Sequence, residues 1–497
     1  MAINSVSYTP SSVGNLLTDL TSQYNDKTTQ LATGRVSPTY GGLGESRSLS
    51  LSLTQSLTSI ESYQTSISTA SLRLEVMSLS LERMEAIRIE AKDTVDQNDY
   101  EVTREGKTTT QTTAKIALDE ILNLLNSEVA GYHLFGGGHT SDTPVLDLDT
   151  ILNGNTTQDG LLAVMEEYQL ANLGALGNGR LTTSIAADVV TLTEDGAHDF
   201  GFDLAGVTSN LTNVTVTGPA GVDPDTIDVD FTGQPIEGEV ISFELTLPNG
   251  STTTVELTAT DDPGLQGGFV IGATANDTAV NFQNALNTAL EESAQSTLKA
   301  ASDLIAGNTF FDTFQGKEPL RVDGPPFETA TTTSANATDT ISWYVGDNTS
   351  GDPREDSRAA IDKNLTVSYG ARANEGAFAS MIESLAVFIA ADFSAGDAQA
   401  ESYYTALSSR ANDQLVAKND ISGVATVAME ISAAYQTMDY TESRHQTIKV
   451  SYESQISDIE GIDQQRTAAE LLQLETQVQA SYRATSIMLN LTLADYL

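Results

Sequence analysis

The sequence predicts an α+β protein: long antiparallel coiled-coil helices from both termini, with a β-rich middle domain inserted between them. Three observations predict it. Proline is missing between Pro38 and Pro144 and again after Pro353. Both flanks can therefore hold long unbroken helices, because a proline inside a helix deletes a hydrogen bond and clashes with the preceding turn. Both flanks also repeat apolar residues at steps of three and four, which keeps one apolar seam on a single side of a helix. The middle instead alternates apolar with polar residues, the period of a half-buried strand.

Taken in order, Val13, Leu16, Leu17, Leu20 and Tyr24 have helical spacing and predict a short first helix. "TGRVSPTYGGLGES" then breaks it into a looped connector. A long helix follows with the seam Ile60, Tyr63, Ile67, Ala70, Leu74, Met77, Leu81, Met84, Ile87 and Ala91. After the polar break "DQNDYEVTREGKTTT", a second helix carries Ile116, Ile121, Leu122 and Leu125 and is expected to end at "EVAGYHLF". "LTNVTVTGP" and "DTIDVDFTG" read as strands. "VISFELTLPNGSTTTVELTAT" reads as a hairpin, since Ile241, Phe243, Leu245 and Leu247 alternate, Asn249-Gly250 turns, and Val255 and Leu257 resume. A helix is expected from Ala279 to Ile305, and "DTISWYVGD" and "KNLTVSYGA" return as strands.

The last flank places Val424, Val427, Ile431, Ala434, Met438, Thr441, His445, Ile448, Tyr452, Ile456 and Ile459 on one face. A corner near Gly461 precedes a final helix bearing Leu471, Leu474, Val478, Tyr482, Thr485 and Leu489. The expected organisation is a terminal helical assembly domain of residues 1–45 and 463–497, and a helical-bundle core with β-hairpin segments over 46–180 and 340–462. A variable β-rich insertion fills 181–339.

Lys and Arg number 24 against 68 Asp and Glu, a formal net charge of −44. Such a surface repels phosphate backbones and anionic lipid, which counts against nucleic-acid and membrane-surface binding. Cysteine is absent, which removes disulfides, thiolate metal sites and cysteine nucleophiles. No apolar run approaches the ~20 residues that span a bilayer, so no membrane insertion is expected. The amino terminus lacks the basic start and apolar core of an ordinary secretory signal, so any export is expected to take another route.

The stretch "GYHLFGGGHTSDTP" invites a chemical reading. It lacks the Lys and spacing of a phosphate loop, and His133 and His139 have neither a neighbouring cysteine nor an HExxH pair to complete a metal site. Gly136, Gly137 and Gly138 are read instead as a turn and hinge leaving the helix, where backbone of positive φ is needed. His198 and His445 read as packed or solvated histidines. Asp223, Asp225, Asp228 and Asp230 lack the Gly and terminal Glu of a calcium loop, and read as acidic strand ends. There is no G-x-S-x-G elbow, and the expectation is a protein with no enzymatic activity, metal or cofactor.

Several segments carry a family resemblance. "LTSQYNDKTTQLATGRVSPTYGGLGES", "LERMEAIRIEAKDTV", "GYHLFGGGHTSDTPV", "WYVGD" with "LTVSYGARANEGAF", and "LLQLETQVQASYRATSIMLNLTLADYL" together resemble the bacterial flagellin family, nearest its hook-associated branch. In the third of these, His133 stands inside the family's Tyr-Leu-Phe-Gly-Gly pattern. The resemblance covers roughly 1–150 and 340–497. It implies a structural subunit of the flagellum at the junction of hook and filament, exported by the flagellar type III apparatus without a cleaved signal and located outside the cell. Filament flagellin is the alternative, and a coiled-coil surface adhesin a more distant one. The implied partners are further copies of the chain, the preceding hook-associated protein, filament flagellin and an export chaperone. At Leu81 to Ile87, the family's segment for animal innate-immune receptors, Glu85 stands where flagellins carry Arg, so receptor recognition is not implied.

On this reading the residues that matter are assembly residues. Leu16, Leu17 and Leu20 form the amino-terminal contact face, and Leu471, Leu474, Val478, Tyr482 and Leu489 the carboxy-terminal one. Ile60, Ile67, Leu74, Leu81 and Met84 form the helical core.

Overall fold

The computed structural model describes residues 11–97, 100–103, 106–220, 224–349, 351–394, 397–416 and 423–494, and the chain is mixed α+β. In chain order it has α1 (Ser11–Thr33), α2 (Arg47–Gln97), α3 (Thr109–Leu125), β1 (Glu128–Val129), β2 (Tyr132–His133), α4 (Leu148–Asn153) and α5 (Leu161–Leu173). The strands β3 (Leu181–Ala186), β4 (Val189–Glu194), β5 (Asp203–Ser209), β6 (Val214–Ala220), β7 (Thr226–Phe231), β8 (Val240–Thr246), β9 (Thr252–Thr260) and β10 (Gly268–Val270) follow. Then come α6 (Ala275–Ser293), α7 (Lys299–Phe311), β11 (Leu320–Val322), β12 (Thr333–Ala335), β13 (Arg358–Asp362) and β14 (Leu365–Ser368). The chain continues through α8 (Gly376–Ala390), α9 (Ala400–Leu415), α10 (Gly423–Glu460) and α11 (Gln464–Ala494).

Two compact units result. The first comprises Met1–Ala70, Ala359–Val367 and Gln436–Leu497. In it α1 packs along α11, and the first part of α2 faces the last part of α10. Stepping from Ser50 to Glu61 to Gln64 on α2 steps from Glu460 to Lys449 to Gln446 on α10, equal moves in opposite directions. The two helices are therefore antiparallel and in constant register. Leu53, Ile60, Ile67 and Ala70 are buried, as are Met438, Thr441 and His445. His445 lies 3.6 Å from Asp362 and 5.9 Å, ring to ring, from Tyr63.

The second unit comprises Ser71–Arg358 and Ser368–Tyr435. Its helical part centres on α8, whose sequence "GAFASMIESLAVFIA" is apolar on every side and buried through most of its length. Such a helix needs company all round, and α3, α7 and α9 supply it. The carbonyls that end it are closed from the other chain half: Gln111 donates to Phe388, Ile389 and Ala391, and Lys107 to Ile389 and Ala391. Gln111 also completes the capping box with Thr108 that starts α3. Leu74, Leu81 and Met84 are fully buried in this unit.

The same unit holds two four-stranded sheets, ordered β3-β4-β7-β6 and β10-β9-β8-β5. β7 shows why: Ile227, Val229 and Phe231 point inward and Asp228 and Asp230 outward, as period-two alternation dictates. The apolar faces of both sheets meet α6 in one core, with Phe282 5.3 Å from Phe231 and 5.2 Å from Phe269, ring to ring.

Several expectations need correction. α3 ends at Leu125 rather than at "EVAGYHLF", and Glu128–His133 forms a small antiparallel hairpin turning at Ala130 and Gly131. Ile116 is exposed, because the buried face of α3 runs through Ala114, Leu118, Ile121, Leu122 and Leu125. The helix expected over Ala279 to Ile305 spans α6, a π-helical turn at Ala294–Leu298, and α7. "DTISWYVGD" forms no strand but two isolated bridges, Thr340 to Asp159 and Tyr344 to Val145. Val345 donates to Pro144 O there, and Pro144 has no N–H with which to return the bond and extend the ladder.

Candidate assembly surface

The two chain ends meet in α1 and α11. Lys27 and Glu470 form an ion pair at 2.6 Å, Arg35 bridges Gly461, and Val36 donates to Glu460 O, so these helices also run antiparallel. Leu17, Leu20 and Tyr24 on α1 are half-buried, as are Leu471, Leu474, Val478, Ser481 and Thr485 on α11. No residue with a described side chain in α1 is fully buried, and in α11 only Thr467 is. Two helices pressed along one face each cannot enclose their seam from both sides. The pair leaves apolar surface in water.

Leu16 is 56 % exposed and Tyr482 55 %, joined by Leu472 at 64 % and Ile487 at 61 %. Leu16 and Tyr482 therefore lie off the seam on which the periodicity placed them. Each sits one residue from a seam position, about 100° round the helix; after Val478 the seam steps by three to Ser481 instead of by four to Tyr482. Leu489 lies outside the residues whose side chains are described.

The triple glycine lies in the second unit and forms the expected turn, with His139 donating to Gly136 O at 3.2 Å and Gly137 at φ +63°, and it is a packing site as well. Arg372 is 1 % exposed, donates Nε and Nη2 to the two oxygens of Asp356 at 2.6 and 2.9 Å, and donates Nη1 to Thr349 O. Gly137 donates to Ala371 O and Ala373 to Phe135 O, so the glycine segment runs directly against this ion pair. A Cβ on Gly137, whose φ is +63°, would fall 2.9 Å from Asp356 Oδ2 and 3.2 Å from Arg372 Cγ. One on Gly136 would fall 2.2 Å from His139 O, and one on Gly138 2.7 Å from Asp347 Oδ2. Crowding is hardest at Gly136, where the obstacle is backbone, and at Gly137, where positive φ adds to it; at Gly138 the Asp347 side chain would have to move.

The histidines of that stretch are not brought together on a ligand: His133 Nδ1 lies 3.1 Å from Asn126 O, and His139 is exposed. One cleft, about 770 Å³, is lined by Arg180, Asp195, His198 and the β8–β9 turn. Four of its charged groups, Arg180, Glu194, Asp195 and His198, are already engaged. Asp195 contacts His198 Nε2 and Arg180 Nε at 2.7 Å each, the latter as an ion pair without hydrogen-bond alignment, while Arg180 Nη1 donates to Glu328 O and Ala330 O at 3.0 Å. Glu194 accepts from the backbone of Leu204 and Asp225. Asp228 accepts from Thr191, and Asp223 lies outside the described residues.

The buried ionic groups escaped the sequence reading. Arg321 donates to Glu167, Asp159 and Thr340; Arg354 pairs with Glu375 and Glu430. Charged residues in Gly- and Asp-rich segments look solvated in one dimension, and the one hint, Arg372 between two alanines in "YGARANEG", is weak. In comparison with known proteins, no family matches the chain and no characterised protein matches it.

Proposed function

We propose that the chain is a structural subunit of the bacterial flagellum, the piece that joins hook to filament, and that it assembles through its terminal helices. The observation that carries this is the α1–α11 pair, in which opposite chain ends are matched yet leave Leu16, Leu472, Tyr482 and Ile487 mostly in water. Repeated heterologous contact between such faces generates rings or helical tubes of identical subunits. Long helices at both chain ends and a β-rich stretch between them agree with the long antiparallel coiled coil and inserted domain of the flagellin resemblance. A parallel stalk, the adhesin alternative, has no use for pairing its two chain ends within one polypeptide.

Filament flagellin is the second reading, favoured by the extent of the β-rich stretch over 181–339, large for a junction piece. Immunogold labelling of detached appendages separates the two. A narrow band at the base of the filament is expected; a uniform coat would make the chain a filament flagellin, and bare appendages would end both readings.

A further inference from the structure

We infer that Asn249 is a site of spontaneous covalent modification, at which Asn249–Gly250 closes to a succinimide and opens to aspartate or isoaspartate. The chain has three Asn-Gly pairs, Asn153–Gly154, Asn178–Gly179 and Asn249–Gly250, and the fold treats them differently. Asn178 is 7 % exposed, and a Cβ on Gly179 would fall 2.2 Å from the Phe202 ring, so the backbone there has no room to fold into a five-membered ring. Asn153 ends α4 with its amide nitrogen donating to Asp149, and Gly154 is crowded by Gln158 O. Asn249 and Gly250 stand exposed at the tip of the β8–β9 hairpin, and nothing lies within 4 Å of the position a Cβ on Gly250 would take.

The local hydrogen bonds favour the chemistry. Asn249 Oδ1 accepts from Ser251 Oγ at 2.7 Å and from Ser251 N at 3.1 Å, which draws electron density off the side-chain carbonyl carbon. Asn249 Nδ2, the leaving group, donates to no described residue. The Gly250 N–H is held by Leu247 O at 2.8 Å, and this bond must open first; it belongs to an exposed turn, where opening costs least.

The step balances without a cofactor or any change of oxidation state. Gly250 N gives its proton to solvent and attacks Asn249 Cγ; the new N–C bond forms, the Cγ–Nδ2 bond breaks, and the nitrogen leaves with a proton as ammonia. Water then adds to either ring carbonyl and cleaves its bond to the ring nitrogen, giving aspartate or isoaspartate. One water enters and one ammonia departs. The new carboxylate appears on a turn that borders the cleft lined by Asp195, Asp199 and Asp203, so the product adds negative charge where it is already dense.

The test is peptide mass mapping of the full folded chain held in mildly alkaline buffer, with isoaspartate scored separately. Conversion at Asn249 is expected to be about tenfold faster or more than at Asn153 and Asn178, one decade of rate or beyond. Ser251→Ala is expected to slow it severalfold while hairpin and melting temperature persist. Equal rates at the three pairs would overturn the assignment, as would an intact Asn249 after a denatured control has fully converted; an unchanged rate in Ser251→Ala would overturn the role given to that hydroxyl.

Discussion

Leu474→Asp tests the assembly surface most directly. Leu474 is half-buried on the α11 seam against α1. Full burial of a leucine side chain contributes about 1.5–3 kcal/mol, so the isolated chain should lose only about 1 kcal/mol at a half-buried position. A new carboxylate one turn from Glu470 adds a small like-charge repulsion, partly offset because Glu470 is paired with Lys27 and Arg466. In an assembly the same position would be enclosed by neighbouring copies, and an unpaired buried charge there costs about 3–5 kcal/mol per subunit, multiplied over every contact. The expected result is a soluble chain whose second unit melts as in the wild type but which no longer sediments as polymer. Sedimentation velocity read beside circular dichroism separates the two effects. Polymer formation at wild-type concentration by a folded Leu474→Asp chain would refute the reasoning.

The remaining predictions concern the second unit. Arg372→Ala strands Asp356 inside the protein and should cost about 3–5 kcal/mol, seen as a large fall in the denaturation midpoint; Gly137→Ala forces a Cβ against the same pair and should cost about 1–3 kcal/mol, with Gly131→Ala the milder control because nothing crowds that position. Stability should also fall as pH rises from acid to neutral. Burial pushes Asp303 up to about 6 and Glu383 up to about 7, and their direct hydrogen-bond partners are the neutral Gln169, Tyr403, Gln414 and Asn308. Because the folded values lie above the unfolded ones, both groups are protonated in either state below pH ~3 and carry no penalty; the penalty grows from the unfolded values near pH ~4 to the folded ones and is complete above pH ~8, on the order of 3 kcal/mol apiece. Urea midpoints for Asp303→Asn with Glu383→Gln should be flatter across that window, and an unchanged slope would exclude these carboxyls as its cause.

How legible the fold was depends on the range over which each feature is decided. The seam from Ile60 through Met84 could be read because every member repeats at helical spacing, and all but the half-buried Tyr63 are buried. The β8–β9 hairpin could be read because its strands and its turn adjoin in sequence. Reading failed where one residue's environment is supplied from far along the chain. The packing of Gly137 against Arg372 and Asp356 cannot be seen in its own segment, and Ile116 looks like core until α8 selects the opposite face of α3. The seam on α11 fails in a third way. Among the described residues its main partner is one helix, α1, which covers one side, and Tyr482 and Leu472 keep their apolar surface exposed. A globular core would have been expected to collect such residues, since leaving several large side chains in water forgoes burial worth about 1.5–3 kcal/mol each. Terminal helices that forgo it are suited to a chain that meets its copies end by end, with burial completed only on association.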